Sequence, residues 1–121
     1  TARAQLDSQV LARMAGLKGR YKLGILSNAG DTTRMLLQEH YRLHEVVDDI
    51  VISAEEGLVK PEPEIYLLSA RRLGTQPERC VFVDDLPENI RAAERVGMRG
   101  VLFTDTESSL ARLDSLLAQE A

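Results

Sequence analysis

CVFVDDLPEN (residues 80–89) is the stretch on which the reading of this chain turns. Cys80, Val81, Phe82 and Val83 are apolar and rich in residues that favour strands. They run directly into two adjacent carboxylates, Asp84 and Asp85, and Pro87 then stands where the first turn of a helix would accept it. Neighbouring acids repel, so something must reward their placement at a strand end. Asp85 could cap the following helix while Asp84 faces water. Alternatively, the pair could hold a hard divalent cation, which would also remove the repulsion.

Working outward, the same alternation recurs. GVLFTD (100–105) reads as another strand, and Leu110, Leu113 and Leu117 give a helix over about 107–119. Upstream, Pro61 and Pro63 stiffen a loop that leads into a helix over about 64–73, ended by Gly74. VVDDIVIS (46–53) is strand-like, and so is YKLGILSN (21–28). Asp31 is a plausible N-cap for a helix with Met35, Leu36 and Leu37 on its apolar side. Leu6, Val10, Met14 and Leu17 share a helical face within residues 3–18. Apolar strands alternating with amphipathic helices predict a single α/β domain over residues 1–121, built on a parallel sheet.

Composition narrows the function. With 44% hydrophobic residues the chain can bury a core. Fifteen basic against nineteen acidic residues give a net charge of −4, and the basic residues form no run. Neither nucleic acid nor an anionic membrane is therefore an expected partner. Cys80 is the only cysteine, so no intrachain disulfide and no thiolate metal cage can form, and a small buried strand residue is its expected role. With no signal-peptide pattern and no apolar run of membrane-spanning length, a reducing, cytoplasmic setting fits best. A first residue that is threonine rather than methionine suggests processing or a part of a longer protein.

In parallel sheets the ligand crevice lies beyond the carboxyl ends of the strands. Ser27, Asn28, Ala29 and Gly30 stand at one such end, Ser53 at another, then Asp84 and Asp85, then Thr104 and Asp105. The hydroxyl and backbone N–H groups of SNAG (27–30) suit phosphate oxygens, although the same residues are also ordinary turn chemistry. Lys60 is either a solvated surface charge or, bracketed by Gly57 and Pro61, a cation held over the carboxylates. Asn89, one turn past Asp85, either faces back into the crevice or lies on the helix surface. His40 and His44 are spaced for a metal but have no third ligand, and read as surface residues.

Taken in order, ILSN, KPEPEIY and VFVDDLPENIRAAERVGM resemble the haloacid dehalogenase superfamily of phosphohydrolases, from about Leu17 to Leu117. GLVKPEPEIY and FVDDLPENI are most similar to the branch of small sugar-phosphate phosphatases and the epoxide hydrolase N-terminal phosphatase domain. The resemblance implies a Rossmann-like three-layer α/β fold and a Mg²⁺-dependent phosphatase acting through an aspartyl-phosphate. It implies that Ser27 and Asn28 bind phosphate, that Lys60 steadies nucleophile and phosphoryl group, and that Asp84 and Asp85 hold the metal with Asn89 supporting. A response-regulator receiver also uses paired acids, magnesium and a lysine, but there the acids come early and the lysine late. A dehalogenase in the strict sense does not explain the Asp84–Asp85 pair.

The departure from the family is large. Its first motif, Asp-x-Asp-x-Thr, supplies the nucleophile and the acid/base, and it is absent from this chain, as is the cap that shapes the substrate pocket. Asp7, inside a helical pattern, is no substitute. The resemblance also places the missing first strand in the middle of the sheet, between 21–28 and 80–85. That slot is expected to be filled by an N-terminal segment, closed by collapse of the sheet, or occupied by exchange with another chain. The expected function is thus part of a hydrolase for a small phosphomonoester, inactive alone. The alternative is a shortened, non-catalytic domain that binds a phosphorylated ligand or a protein partner.

Overall fold

The computed structural model describes residues 8–28 and 42–119. Helix α1 (Ser8–Leu17) leads to strand β1 (Gly24–Ser27), and strand β2 (Asp49–Ile52) runs directly into a single turn of helix, α2 (Ser53–Glu56). Helix α3 (Pro63–Arg72), strand β3 (Val81–Asp84), helix α4 (Pro87–Arg95), strand β4 (Arg99–Leu102) and helix α5 (Thr106–Gln119) follow. The helix expected after Asp31, with Met35, Leu36 and Leu37, lies outside the described residues, as do Leu6 and His40. Among the described residues, no helix is long and apolar enough to cross a membrane.

Every strand is shorter than its sequence pattern, for identifiable reasons. Before β1, the Leu23 N–H donates to the Asp48 carboxylate at 2.7 Å, while the Leu23 carbonyl accepts the Asp48 N–H at 2.7 Å, so a side chain takes one half of the pairing. Before β2, a 3₁₀ turn over Leu43–Glu45 takes up the N–H groups of Val46 and Val47 on the Leu43 carbonyl. β4 stops at Leu102 because Asp105 caps α5 through the Ser108 N–H at 2.8 Å, and Ser109 Oγ accepts the Thr104 N–H at 3.0 Å. Asp105, placed by its pattern at a strand end, is therefore a helix cap. Ser53 likewise begins a helical turn, closed by Gly57 at a φ of 71° that favours glycine.

Among the described residues the strands form two separate pairs. β1 pairs in parallel with β2, Gly24 opposite Asp49 through Ser27 opposite Ile52. β3 pairs in parallel with β4, Val81 opposite Arg99 through Asp84 opposite Leu102. Among the described residues no ladder joins the two pairs. Of the three outcomes expected for the slot, closure by collapse is not seen among the described residues, where each pair is two-stranded.

What joins them is apolar packing. Val51 from the first pair and the half-buried Phe82 from the second meet Ile65, Tyr66 and Ala70 of α3 and Ala92 and Ala93 of α4 in one cluster. On the opposite face of the first pair, Leu11 and Met14 of α1 pack on Ile50, Ile52, Leu43 and Val47. Alternate residues of β2 thus serve opposite faces, which is why Ile50, Val51 and Ile52 are all buried. α5 contacts β3, β4 and α1, so the helices lie in layers on both sides of the strands.

Candidate active site

The carboxyl ends of β1 and β3 meet through one side chain. Lys60, in the loop between α2 and α3, donates from Nζ to Asp84 Oδ2 at 2.6 Å. Both side chains are nearly sealed from water, 11% and 7% exposed. The Lys60 peptide is tied to the end of β1: its N–H donates to Asn28 Oδ1 at 2.8 Å, and Asn28 Nδ2 donates to its carbonyl at 3.0 Å. Lys60 Nζ also lies 5.7 Å from the centroid of the Phe82 ring, within cation–π range. This lysine is not a solvated surface charge.

Asp84 is held on both oxygens. Oδ1 accepts the Leu86 N–H at 3.0 Å, while Oδ2 also accepts Asn89 Nδ2 at 3.3 Å. Asn89 is buried and faces back toward the strand end rather than outward. Its carbonyl accepts the Tyr66 hydroxyl at 3.1 Å, and the Tyr66 ring meets Phe82 edge-on at 5.1 Å between centroids. Leu86 is the N-cap of α4 and makes no side-chain cap bond, and it is Asp84 that receives the Leu86 N–H.

The electrostatics follow from these contacts. Burial works most strongly against ionisation of Asp84, yet the Lys60 hydrogen bond, the Leu86 N–H, the lysine charge and Asp85 together hold it below the ordinary 3.8. Burial, with a smaller contribution from the Asp84 charge, pushes the Tyr66 hydroxyl up to about 12. The Cys80 thiol is raised by burial and then by Glu78, and it contacts the Gln76 carbonyl at 3.4 Å. Expected as a small buried strand residue, it is half-buried and stands just before β3.

A hard cation fits this donor set in part. A carboxylate offers about four lone-pair positions, and three donors, Leu86 N, Lys60 Nζ and Asn89 Nδ2, take up part of that capacity on Asp84. The adjacent Asp85 is exposed. Two carboxylates completed by waters and a phosphate are an ordinary magnesium shell. Among the described residues no cluster of three possible ligands forms, so a further protein ligand would have to come from elsewhere.

Ser27 ends β1, half-buried, one residue before the asparagine, but the bonds around Lys60 do not include it. Phe82 and Tyr66 were missed by sequence reasoning. The signal for Phe82 was present: in a strand it shares a face with Asp84, two residues on. Tyr66 sat inside a quoted motif without a role, because its hydroxyl acts through a backbone carbonyl on another helix.

Comparison with known proteins gives this arrangement a context. A family model described as haloacid dehalogenase-like hydrolase matches residues 3–97. Bifunctional epoxide hydrolase 2 of Rattus norvegicus is 34% identical over 86 residues, 71% of this chain and 16% of that protein. Glyceraldehyde 3-phosphate phosphatase of Methanopyrus kandleri is 47% identical over 57 residues, 46% of this chain and 24% of that protein. A HAD family enzyme from Bacteroides thetaiotaomicron, crystallised with magnesium and inorganic phosphate, superimposes with a TM-score of 0.77 at 24% identity. The superposition covers 87% of this chain and 57% of that one. The chain therefore spans less than a quarter of the length of either sequence relative.

Proposed function

The chain belongs to the haloacid dehalogenase-like hydrolases, and from that premise we propose that it is the phosphate- and magnesium-binding part of a phosphatase for small phosphomonoesters. The observation that carries the reading is the convergence of Asn28, Lys60, Asp84 and Asn89 where the ends of two parallel ladders meet. The phosphatase named among the relatives supports the substrate class.

In this reading the Ser27 hydroxyl and the Asn28 backbone N–H receive phosphate oxygens, and Lys60 balances the charge that develops on the phosphoryl group. Asp84 and Asp85 hold Mg²⁺, with Asn89 steadying Asp84. The metal, when bound, supplies Lewis-acid neutralisation of phosphoryl charge. The covalent step needs a carboxylate nucleophile. Its oxygen attacks phosphorus, the ester P–O bond breaks and the alcohol leaves with a proton; water then releases phosphate and restores the carboxylate. That nucleophile is absent from the 121 residues. It would arrive on a strand between the two ladders, from an upstream segment or by exchange with another chain, and the chain alone would be inactive.

The test is turnover of p-nitrophenyl phosphate with Mg²⁺. None is expected from the 121 residues. Activity should appear when a strand carrying Asp-x-Asp-x-Thr is joined upstream, and disappear again in Asp84→Asn. Turnover by the chain alone that is lost in Asp84→Asn would overturn the reading. The second reading is a non-catalytic domain that binds a phosphorylated ligand or a protein partner. It predicts phosphate binding by the chain as it stands, with no gain of turnover when the strand is joined.

A further inference from the structure

We propose that the Asn28 side chain is a positioning residue for Lys60, a clamp on its peptide rather than a ligand for substrate. The clamp grips both polar backbone groups of one residue: the Lys60 N–H at 2.8 Å and the Lys60 carbonyl at 3.0 Å. Those groups flank the lysine Cα, so holding both fixes the direction in which its Cβ leaves the chain. An anchored root and an anchored tip together suppress the rotamer freedom of a lysine side chain.

The surroundings make the clamp local. On the far side of the loop, the Val59 N–H donates to Glu62 Oε1 at 3.0 Å, and the Glu62 N–H donates to the Val59 carbonyl at 2.9 Å. Lys60 therefore stands between a turn closed toward α3 and the end of β1. The two ladders share no strand pairing among the described residues. The route Asn28–Lys60–Asp84 is accordingly a polar link from one carboxyl end to the other. Its consequence for catalysis rests on the phosphatase reading; the positioning itself does not.

The ring of Phe82 provides a readout that needs no turnover. Lys60 Nζ lies 5.7 Å from its centroid, so the ε-CH₂ protons of Lys60 should be displaced upfield by the ring current and show nuclear Overhauser contacts to the ring. Lys18 and Lys22, the only other lysines, are exposed and serve as internal references. In Asn28→Ala and in Asn28→Leu, which keeps the volume but neither bond, the Lys60 signal should move to the Lys18 and Lys22 positions and lose its ring contacts. The Tyr66–Phe82 contacts should persist, reporting an intact core. An unchanged Lys60 signal in either folded variant overturns the proposal. So does loss of the Tyr66–Phe82 contacts together with it in both, because Asn28 would then be a general fold residue. If only the alanine variant unfolds, the leucine variant decides. A failed phosphatase reading leaves this outcome untouched, and failure here leaves the turnover test untouched.

Discussion

The β1–β2 and β3–β4 ladders have the same length and the same parallel sense, but they are finished differently. The first buries Ile50, Val51 and Ile52 of β2, while β1 stays only half-covered. Its charged attachment, Arg72 to Asp49 at 2.9 Å and Glu56 at 2.8 Å, leaves the arginine 35% exposed. The second is open: Val83 and Leu102 are 40% and 37% exposed, while its ion pair is the nearly sealed Lys60–Asp84. The first ladder puts the apolar residues of β2 into the core; the second leaves apolar side chains in solvent and buries the ion pair at its carboxyl end. On the proposed reading, the phosphatase site lies where terminal charge is buried, not where the strands are best covered.

The strongest way to break this contrast is to remove the packing that the ladders share. Tyr66 is fully buried between them and contacts Phe82 edge-on. Tyr66→Ala should destabilise the protein by about 3–5 kcal/mol in urea unfolding, the range for deleting a buried aromatic ring. If the ladders are one cooperative unit, amide exchange should rise in both. Exchange confined to β3 and β4 would mean that they fold separately.

The next test strikes the buried pair. Lys60→Ala leaves the Asp84 carboxylate sealed against a missing partner, but Leu86 N and Asn89 Nδ2 still donate to it. The loss should be about 2–3 kcal/mol, below that for a fully enclosed pair. Arg72→Ala, at the half-exposed attachment, should lose about 1 kcal/mol or less. Acid should sharpen the same contrast. Because the folded Asp84 titrates below 3.8, its contribution is full above 3.8 and drains away as pH falls through the folded value. Asp84→Asn, with nothing to protonate there, should flatten the acid limb of stability against pH. An identical acid limb in the variant would show that the pair contributes nothing.

Much of this was legible in advance because it is local. Periodicity places α3 and α5 to within a residue or two of their observed ends, and proline and glycine bound α3. VDD followed by a proline-led helix marks the platform. The strand ends were less legible, because Asp48, Asp105 and the Leu43 carbonyl capture backbone groups that alternation would assign to ladders. Of the site, the residue types and their common end were readable. The grip of Asn28 on a peptide thirty-two residues away and the seat of Lys60 on Phe82 were not, since both depend on how the loop before α3 folds back.

The finest contrast lies in two glycines, one in each ladder, both beneath a helix. A Cβ at Gly100 would stand 2.6 Å from Ile90 Cγ2. That methyl belongs to a buried, β-branched side chain with little freedom at χ1, so α4 must shift or the rotamer must strain. Gly100→Ala should therefore destabilise by about 1–3 kcal/mol, as overpacking does. A Cβ at Gly24 would meet only the ends of the half-buried Leu73, 3.0 Å away at Cδ1. A leucine tip can rotate aside, and alanine recovers roughly 0.5–1 kcal/mol of the backbone entropy that glycine forfeits in a strand. Gly24→Ala should accordingly lie near neutral. Paired urea midpoints at equal m-values read the difference directly. Equal losses at both positions would mean that α4 sits no more tightly on its ladder than α3 does on the other, and the open ladder would then be held by its ion pair and shared core alone.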